Sequence, residues 1–360
     1  MFAQASGRAA LTEFLRRSPR RGSRDRVLLC SFNCTVMLDA VVAAGFTPET
    51  FDLSDKFGRV DWRDLADRLG EDHHAIVIPH LFGVPMDFRP MRQVAASRGV
   101  LVIEDCAHTL GGKIGEERAG TLGDAAIFSF NYDKPISMGG GGALLINRPE
   151  LVGAISASPL SLQEERLELR QFVRNIRERR FQMGRASLAE RLRRRLLPRA
   201  TPELTPAKGF GPLRAALGNW QLERFAAVSH KRSANATALL DVPGWRHWHI
   251  DDDVTPAWLR MKLIPSNPLD VQAAVRPLHT AGLRVGGYNW PQTLDELRSH
   301  PVRPHAQYVA SYGLDAPIHQ EMRASELRLI ASTLAGAAQR ACKQASPLTS
   351  SSDEQTVLVG

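Results

Sequence analysis

The 360-residue sequence lacks the features of several classes of protein. No stretch approaches the roughly 18 consecutive apolar residues that a conventional transmembrane helix needs. The N-terminus has no basic region followed by a continuous apolar run, so it is not typical of a secretory signal. We therefore expect a soluble, cytoplasmic protein, and a composition that is 43% hydrophobic allows a large core and two domains.

Cysteine is scarce, and the four cysteines indicate neither a zinc site nor a disulfide framework. The four cysteines are Cys30, Cys34, Cys106 and Cys342. They do not form the paired short spacings of a zinc site, because the C-x3-C at Cys30 and Cys34 stands alone. We expect reduced thiols, no disulfide framework and no metal site.

The formal net charge of +8 is concentrated in one segment. Residues 161–200 contain twelve arginines against five glutamates, which is nearly the whole excess. Three interpretations remain open: a solvated helical face, a surface that attracts an anionic substrate, carrier or membrane headgroup, and specific nucleic-acid recognition. No nucleic-acid-binding motif or aromatic interleaving accompanies the arginines, so we expect no specific nucleic-acid partner.

Apolar strand-like runs alternate with amphipathic helical runs over residues 26–147. Runs such as AIVIP and VLVIE are apolar without alternation, which is typical of strands covered on both faces by helices. This rhythm predicts an α/β fold with a mainly parallel, wound sheet. His73 and His74, which precede AIVIP, are expected in a loop.

The pattern predicts two domains and a tail. Residues 1–240 form a large domain, with the arginine-rich helical insertion at about 161–200 and one long connecting helix at about 212–240. Short strand runs and two helical stretches then predict a smaller α/β domain over residues 241–344. Residues 345–360, at the end of the chain, are mainly small and polar until the last few, and this segment is predicted to be disordered.

Polar residues that follow strand runs are the first candidates for a site, because ligands in open α/β sheets lie at the carboxyl ends of strands. Asp105 ends VLVIED, His108 follows it, and Ser129 and Lys134 follow the run AAIF. Pyridoxal phosphate requires these residue types: a lysine amine for the Schiff base, a carboxylate for the pyridine nitrogen and a hydroxyl for the phosphate.

Four consecutive glycines occupy residues 139–142, just after Lys134. A phosphate-binding loop would place the lysine after the glycines, in the order G-x-x-x-x-G-K-[ST], which is not found here. The glycines therefore favour a tight turn between strands, with a close backbone approach to the site.

The central block VIEDCAHTLGGKIGEERAGTLGDAAIFSFNYDKPISMGGGGALLIN resembles the DegT and StrS type of sugar aminotransferase, a family of fold-type I pyridoxal-phosphate enzymes. That family's pattern is roughly E-D-x-A-Q-x-x-G, G-x-x-G-D, S-F-x-x-x-K and G-x-G-G. The resemblance extends to ASGRAAL, AIVIPHLFGVPMD and AALGNWQLERF, and thus over most of the chain. It implies a fold-type I large domain, a smaller C-terminal domain and pyridoxal 5'-phosphate as cofactor.

The resemblance implies a role for each matching residue. Lys134 would bind the cofactor covalently and then act as the acid and base of proton transfer. Asp105 would pair with the pyridinium nitrogen, and Ser129 would bind the phosphate. His108 stands where the family usually has glutamine and would lie against the ring.

Further contacts are implied at the N-terminal end of the pattern. Ser6, Gly7 and Arg8 would bind the phosphate, with Arg8 in place of the usual hydroxyl residue. Cys34 occupies the position from which an aromatic side chain usually stacks on the cofactor. The family builds its sites at a dimer interface, which implies a homodimer, but the asparagine motif that reaches the neighbouring subunit is absent before the long helix.

The function implied is transfer of an amino group from an amino acid to a small-molecule keto sugar, and we expect the amino acid to be glutamate. We expect a nucleotide-linked sugar, in polysaccharide or secondary-metabolite synthesis. One alternative keeps the cofactor but changes the reaction, or uses a carrier-bound or non-sugar ketone. Another is a non-catalytic paralogue with a binding role, which the short N-terminal part of the pattern and the missing asparagine suggest.

Overall fold

The computed structural model describes residues 1–151, 158–170, 208–286, 292–298, 301 and 303–345. Most of the predicted arginine-rich insertion, and all but the first residue of the predicted tail, lie outside these ranges. Within the described ranges, no helix is long and apolar enough to cross a membrane.

Strands and helices alternate through the first part of the chain. Up to residue 105 the elements are β1 Phe2–Gln4, α1 Gly7–Arg17, β2 Arg26–Cys30, α2 Val36–Ala43, β3 Thr47–Phe51, α3 Trp62–Arg68, β4 His73–Pro79, α4 Arg89–Arg98 and β5 Leu101–Asp105. Four strands follow: β6 Lys113–Ile114, β7 Glu117–Arg118, β8 Ala125–Ser129 and β9 Gly142–Ile146. Short 3-10 turns lie at Leu81–Gly83 and Pro149–Leu151.

The later elements are shorter strands and longer helices. They are β10 Ser158–Pro159, β11 Lys208–Gly209, α5 Pro212–Leu222, α6 Phe225–Thr237, β12 Trp245–His247, β13 Val254–Thr255, β14 Met261–Pro265, α7 Val271–Thr280, α8 Leu294–Leu297, α9 Pro304–Tyr312, β15 Leu314–Ala316 and α10 Ala324–Ala345. Residues 162–170 are also helical.

The main sheet has seven strands in the order β1-β9-β8-β5-β4-β2-β3. The pairs from β3 through β2, β4 and β5 to β8 are parallel, and only β9 and β1 are antiparallel to their neighbours. The predicted mainly parallel sheet is thus confirmed. Because parallel strands share one carboxyl edge, β4, β5 and β8 deliver the residues that follow them to the same place.

Both faces of this sheet are buried, which explains the apolar runs without alternation. All seven residues of β4 and all five of β5 are buried. Ile76 and Ile78 pack into one apolar cluster, while Val77 and Ile103 pack into another on the opposite face. Each such side chain contributes about 1.5–3 kcal/mol of burial free energy, so the strand core holds the edge residues on a rigid base.

A second, antiparallel sheet has the order β12-β14-β15. Its apolar core is continuous with one face of the main sheet. Trp248 makes the junction, since its ring lies 5.9 Å from that of Phe32 and 5.1 Å from that of Phe82, measured between centroids. The domain boundary near residue 240 stays a prediction.

The prediction of one long helix at about 212–240 is wrong. The structure has two helices, α5 and α6, separated at residues 223–224. The N–H of Arg224 donates to the carbonyl of Gln221, three residues back, at 3.1 Å, which tightens the turn. After the break Phe225 lies against Gly111, where an added Cβ would lie 3.0 Å from the ring, and helical periodicity does not encode this tertiary contact.

The prediction of a loop at His73 and His74 is also wrong, because both residues begin β4 and are buried. His74 Nε2 lies 2.7 Å from Ser18 Oγ, and its ring stacks on Phe46 with centroids 4.5 Å apart. Burial lowers the pKa of His74 to about 4, and the charge of Arg20 contributes in the same direction. The ring is therefore neutral in the folded protein at pH 7.

We expect the free energy of unfolding to fall as the pH drops from 7 to 4. The unfolded chain, with an ordinary histidine pKa of about 6.5, takes up a proton that folded His74, with a pKa of about 4, does not. The loss is on the order of 2 kcal/mol, measured by urea unfolding at pH 7, 5.5 and 4. His74→Phe keeps the stack on Phe46 and should make the free energy of unfolding depend less on pH between 7 and 4. An unchanged dependence on pH would contradict the assignment of this loss to His74.

Candidate active site

A cavity of about 300 Å³ opens at the carboxyl edge of the main sheet, beside the N-terminus of α1. Seven of the eight sequence-predicted site residues line it: Gly7, Arg8, Cys34, Asp105, His108, Ser129 and Lys134. They come from α1, the segment after β2, the end of β5 and the segment after it, the end of β8 and the turn that follows. The sheet thus brings together residues that are far apart in the sequence.

Asp105 is the last residue of β5 and is only 6% exposed. Its Oδ1 accepts a hydrogen bond from the N–H of Ala107 at 3.0 Å. Burial raises the pKa of Asp105, although the Ala107 N–H and the charge of Lys134 oppose the shift. A cationic group bound in the cavity would offset this desolvation cost and stabilise the carboxylate.

His108 is buried at the cavity wall, and its Nδ1 accepts the N–H of Phe82 at 3.2 Å. Burial lowers the pKa of His108 well below its ordinary value, and the charges of Lys134 and Arg260 lower it further. The imidazole is therefore neutral. Phe82 has a φ of 60°, a left-handed conformation unusual for a bulky residue, and the bond to His108 is one of the contacts that hold it.

Lys134 lies in the turn after β8, where its N–H donates to the carbonyl of Asn131 at 3.1 Å. Its side chain is 11% exposed, and its Nζ lies 3.5 Å from Asp133 Oδ2. Asp133 also lines the cavity and pairs with Arg260, Nη2 to Oδ2, at 3.2 Å. Sequence reasoning missed both Asp133 and Arg260, although the position of Asp133 directly before Lys134 could have indicated the first.

The N-terminus of α1 forms another wall of the cavity. Ser6 is the exception among the predicted residues: it does not line the cavity, and its Oγ caps α1 by accepting the N–H of Ala9 at 3.1 Å. Gly7 begins the helix, and an added Cβ there would lie 3.3 Å from the carbonyl oxygen of Phe128. Helix N-termini favour anions, because their first N–H groups lack partners within the helix.

Arg8 follows Gly7 and also faces the cavity, with its Nη1 3.5 Å from Asp39 Oδ2. Asp39 is 60% exposed, so this pair is weak and leaves the guanidinium close to an anion site. Cys34, from the segment after β2, lies in the same cavity.

The glycine run lies between β8 and β9, as the sequence predicts, but the connection spans residues 130–141 and the glycine turn is only its end. Gly139, Gly140 and Gly141 have φ angles of 74°, 139° and 92°, which favour glycine. At Gly142 an added Cβ would lie 2.4 Å from the carbonyl carbon of Ser6, closer than real Cβ atoms approach. The glycines therefore allow β9 to approach the backbone at the start of α1.

A helix supports this turn from outside the cavity. Arg214, in α5, is buried, and its Nε donates to the carbonyl of Met138 at 3.3 Å, while its Nη1 pairs with Glu168. The buried carboxylate of Glu165 accepts the N–H groups of Leu213 at 2.8 Å and Arg214 at 2.9 Å. The described start of the arginine-rich segment thus caps α5 and packs behind the glycine turn.

His80, Glu104 and Cys106 form a buried group whose residue types could bind a metal. Met86 N–H donates to His80 Nδ1 at 3.0 Å, so the ring proton lies on Nε2, which donates to Glu104 at 3.0 Å. Glu104 also accepts three backbone N–H groups, those of Gly120, Leu122 and Gly123. Burial would raise the pKa of Glu104, but His80 and the N–H groups of Gly123 and Gly120 lower it overall. The hydrogen bonds account for His80 and Glu104 without an ion.

Solved structures share this fold. DesV of S. venezuelae matches with a TM-score of 0.70 and 21% identity, over 94% of this chain and 84% of that chain. The sugar aminotransferase CalS13 of Micromonospora echinospora matches with a TM-score of 0.68 and 21% identity, over 93% of this chain and 86% of that chain. Fold and cavity together define an α/β protein of fold-type I, and the predicted fold class is confirmed.

A family model narrows the class. The model of the DegT/DnrJ/EryC1/StrS aminotransferase family matches residues 2–335. The chain belongs to this family, which confirms the resemblance found in the sequence.

Curated relatives match over shorter stretches. UDP-N-acetyl-3-dehydro-alpha-D-glucosamine 3-aminotransferase of Acidithiobacillus ferrooxidans is 32% identical over 142 residues, or 39% of this chain and 38% of the relative. GDP-perosamine synthase of Escherichia coli O157:H7 is 32% identical over 123 residues, or 34% of each chain. The matched stretch spans between about a third and two fifths of these relatives.

Gly142→Ala should destabilise the site and the fold, because the added methyl group meets the backbone of Ser6 and Gly7 rather than a flexible side chain. We expect the free energy of unfolding to fall by about 2 kcal/mol, measured by chemical denaturation. Gly336→Ala, in the middle of α10, is the matched control. Its added Cβ meets only the end of Arg340 and should leave stability equal or higher. Equal effects of the two substitutions would refute the close approach.

Proposed function

We propose that this protein is a pyridoxal 5'-phosphate-dependent aminotransferase. The observation that carries the proposal is the convergence of Asp105, His108, Ser129 and Lys134 on one cavity beside the N-terminus of α1. Each residue type meets a different requirement of that cofactor. The proposal is supported by membership of an aminotransferase family over nearly the whole chain.

The buried side chains fit the reactive part of the cofactor. Asp105 would pair with the protonated ring nitrogen, whose positive charge would offset the burial that raises the pKa of this carboxyl group. The neutral imidazole of His108 can lie against the ring without repelling that positive charge. Lys134 places a largely buried amine at the same cavity for covalent attachment.

The N-terminus of α1 fits the phosphate. Gly7 brings the first helical N–H groups close to β8, and Arg8 and Ser129 add a guanidinium and a hydroxyl on the same wall. Ser6 would act through its cap on α1, because its hydroxyl already accepts the N–H of Ala9. Cys34 would occupy the outer side of the ring, with less contact area than an aromatic side chain.

When bound, the cofactor supplies an aldehyde for covalent attachment and a ring that withdraws electrons from the substrate. The chain's own residues then hold and move protons. Asp105 keeps the ring nitrogen protonated, and Lys134 Nζ holds the proton exchanged with the substrate carbon. The low exposure of both side chains keeps water from competing for these protons.

We further propose glutamate as amino donor and a nucleotide-linked keto sugar as acceptor. The support for the acceptor is that curated relatives are named as a UDP-sugar aminotransferase, a GDP-perosamine synthase and a dTDP-amino-sugar transaminase. The donor is carried over from the resemblance found in the sequence. Such a reaction belongs to polysaccharide or secondary-metabolite synthesis. The cytoplasmic location, and a role of the arginine-rich segment in binding an anionic substrate or carrier, stay predictions.

We propose that two copies of the chain associate through α5. Leu213, Leu217 and Trp220 lie on one face of this helix and are 39%, 38% and 54% exposed. Apolar residues exposed at this spacing form a stripe that a partner helix can cover. The helix also supports the glycine turn beside the cavity through Arg214, which would place the subunit contact next to the site.

Lys134→Ala should abolish the cofactor's visible absorption and lower transamination by about 10³-fold or more, because it removes both the covalent link and the proton carrier. In the native protein, borohydride should fix the cofactor to the peptide containing Lys134, as read by mass spectrometry. The control is Lys113→Ala, a partly exposed lysine outside the cavity, which should keep colour and activity. A colourless native protein, or a label on another lysine, would refute the proposal.

Leu217→Arg should convert the dimer to a monomer, because a guanidinium inside an apolar contact is left without a partner. Light scattering coupled to size-exclusion chromatography measures the mass. Leu329→Arg places the same change on an exposed leucine of α10 and should leave the dimer intact. A native monomer with full activity, or a Leu217→Arg dimer, would overturn the assembly proposed.

A further inference from the structure

Five charged side chains form a continuous chain from the cavity to the second sheet. Lys134 Nζ lies 3.5 Å from Asp133 Oδ2, and Arg260 Nη2 lies 3.2 Å from the same oxygen. Arg260 Nη1 then pairs with Asp315 Oδ2 at 3.3 Å, and Asp315 Oδ1 accepts from Lys262 Nζ at 3.1 Å. Three cations therefore share two carboxylates.

This chain of ion pairs is largely shielded from solvent. The side chains of Lys262 and Asp315 are each 6% exposed, that of Arg260 is 13% exposed and that of Asp133 is 24% exposed. Salt and water screen such pairs much less than they screen surface pairs. A change of charge at one of these side chains therefore changes the electrostatic environment of its neighbours.

The far end of the chain of ion pairs is fixed by the fold. Lys262 and Asp315 stand opposite each other in the β14–β15 pairing, so their contact is set by the strand register. Arg232 Nη1 donates to the carbonyls of Trp258 at 3.3 Å and Leu259 at 3.0 Å, which holds the backbone just before Arg260. Arg260 thus extends from a rigid base toward Asp133.

At the cavity end of this chain of ion pairs, two cations compete for one carboxylate oxygen. Asp133 Oδ2 contacts both the amine of Lys134 and the guanidinium of Arg260. The negative charge of Asp133 attracts the amine of Lys134, whereas the positive charge of Arg260 lies against the same oxygen and opposes that attraction. Neither effect requires contact with the substrate.

We propose that Asp133 is a positioning residue for Lys134, and that Arg260 sets how strongly Lys134 Nζ holds its proton. The inference rests on the proposed function only in assigning proton transfer to Lys134. Asp133 would orient the amine and retain a proton there, and Arg260 would keep that retention weak enough for the proton to leave. Asp315, in the second sheet, would keep the guanidinium of Arg260 in place and so keep its effect on Lys134 constant.

Other groups around the cavity do not reproduce this arrangement. Among the described residues, the other charged or titratable side chains lining the cavity are Arg8, Cys34, His80, Asp105, His108 and Tyr132. His80 is bonded to Glu104, and burial keeps His108 neutral. The remaining carboxylate, Asp105, would be paired with the cofactor ring, which leaves Asp133 as the counter-charge of Lys134.

The test compares Asp133→Asn with Arg260→Gln in the cofactor-bound protein. The readout is the pH midpoint of the cofactor's absorption change, which reports protonation of the lysine-bound nitrogen and is independent of turnover. Asp133→Asn removes a negative charge and should lower the midpoint by about one pH unit. Arg260→Gln removes a positive charge and frees Asp133, so it should raise the midpoint by a similar amount.

Matched controls remove the same charges elsewhere. Arg89 Nη2 and Asp253 Oδ2 form a surface pair at 2.6 Å, so Asp253→Asn and Arg89→Gln should leave the midpoint unchanged. Asp133→Glu restores the charge and should return the midpoint close to the native value. If circular dichroism shows that Arg260→Gln does not fold, the test uses the other two variants. The midpoint should fall in Asp133→Asn and return to the native value in Asp133→Glu.

A second readout separates this inference from the proposed function. In the cofactor-free protein, competitive acetylation at fixed pH should label Lys134 faster in Asp133→Asn and more slowly in Arg260→Gln. Protein that binds no cofactor but shows these opposite labelling changes would refute the proposed function and support the inference. Midpoints or labelling rates that move in the same direction in both variants, or do not move, would overturn it.

Discussion

The close approach of the α1 N-terminus to β8 and β9 is the constraint on which the rest of the site depends. It requires glycine at position 142, where an added Cβ would lie 2.4 Å from the carbonyl carbon of Ser6, and it is tight at Gly7, where an added Cβ would lie 3.3 Å from the carbonyl oxygen of Phe128. The approach places helical N–H groups at the same cavity as a buried carboxylate at the end of β5 and a lysine in the turn after β8. A ligand with an anionic end and a cationic ring suits this combination, and that is the physical basis for proposing pyridoxal phosphate.

Much of the fold and most of the site could be predicted from the sequence, because the determinants are local. Runs such as AIVIP and VLVIE have no alternation, and β4 and β5 are buried on both faces. Asp105 and Ser129 follow directly from their place at strand ends, and Lys134 from its place in a matched motif. Once parallel strands are predicted, their shared edge brings these residues together without further information.

The remainder depends on contacts between distant segments, which periodicity does not encode. At the break between α5 and α6 Phe225 packs on Gly111, and buried His74 contacts Ser18 and Phe46. Arg260 reaches Asp133 from the far side of the fold, 127 residues along the chain. The hydroxyl of Ser6 was predicted to bind phosphate, but the start of a helix supplies a competing partner, the N–H of Ala9.

The central claim is that this cavity carries out half of a transamination with the amino group of glutamate. The most direct test is a single turnover: the cofactor-loaded protein is mixed with glutamate alone, and the absorption spectrum and the released 2-oxoglutarate are measured together. The account predicts loss of the visible band with release of one 2-oxoglutarate per bound cofactor. An unchanged spectrum with no 2-oxoglutarate released would contradict it.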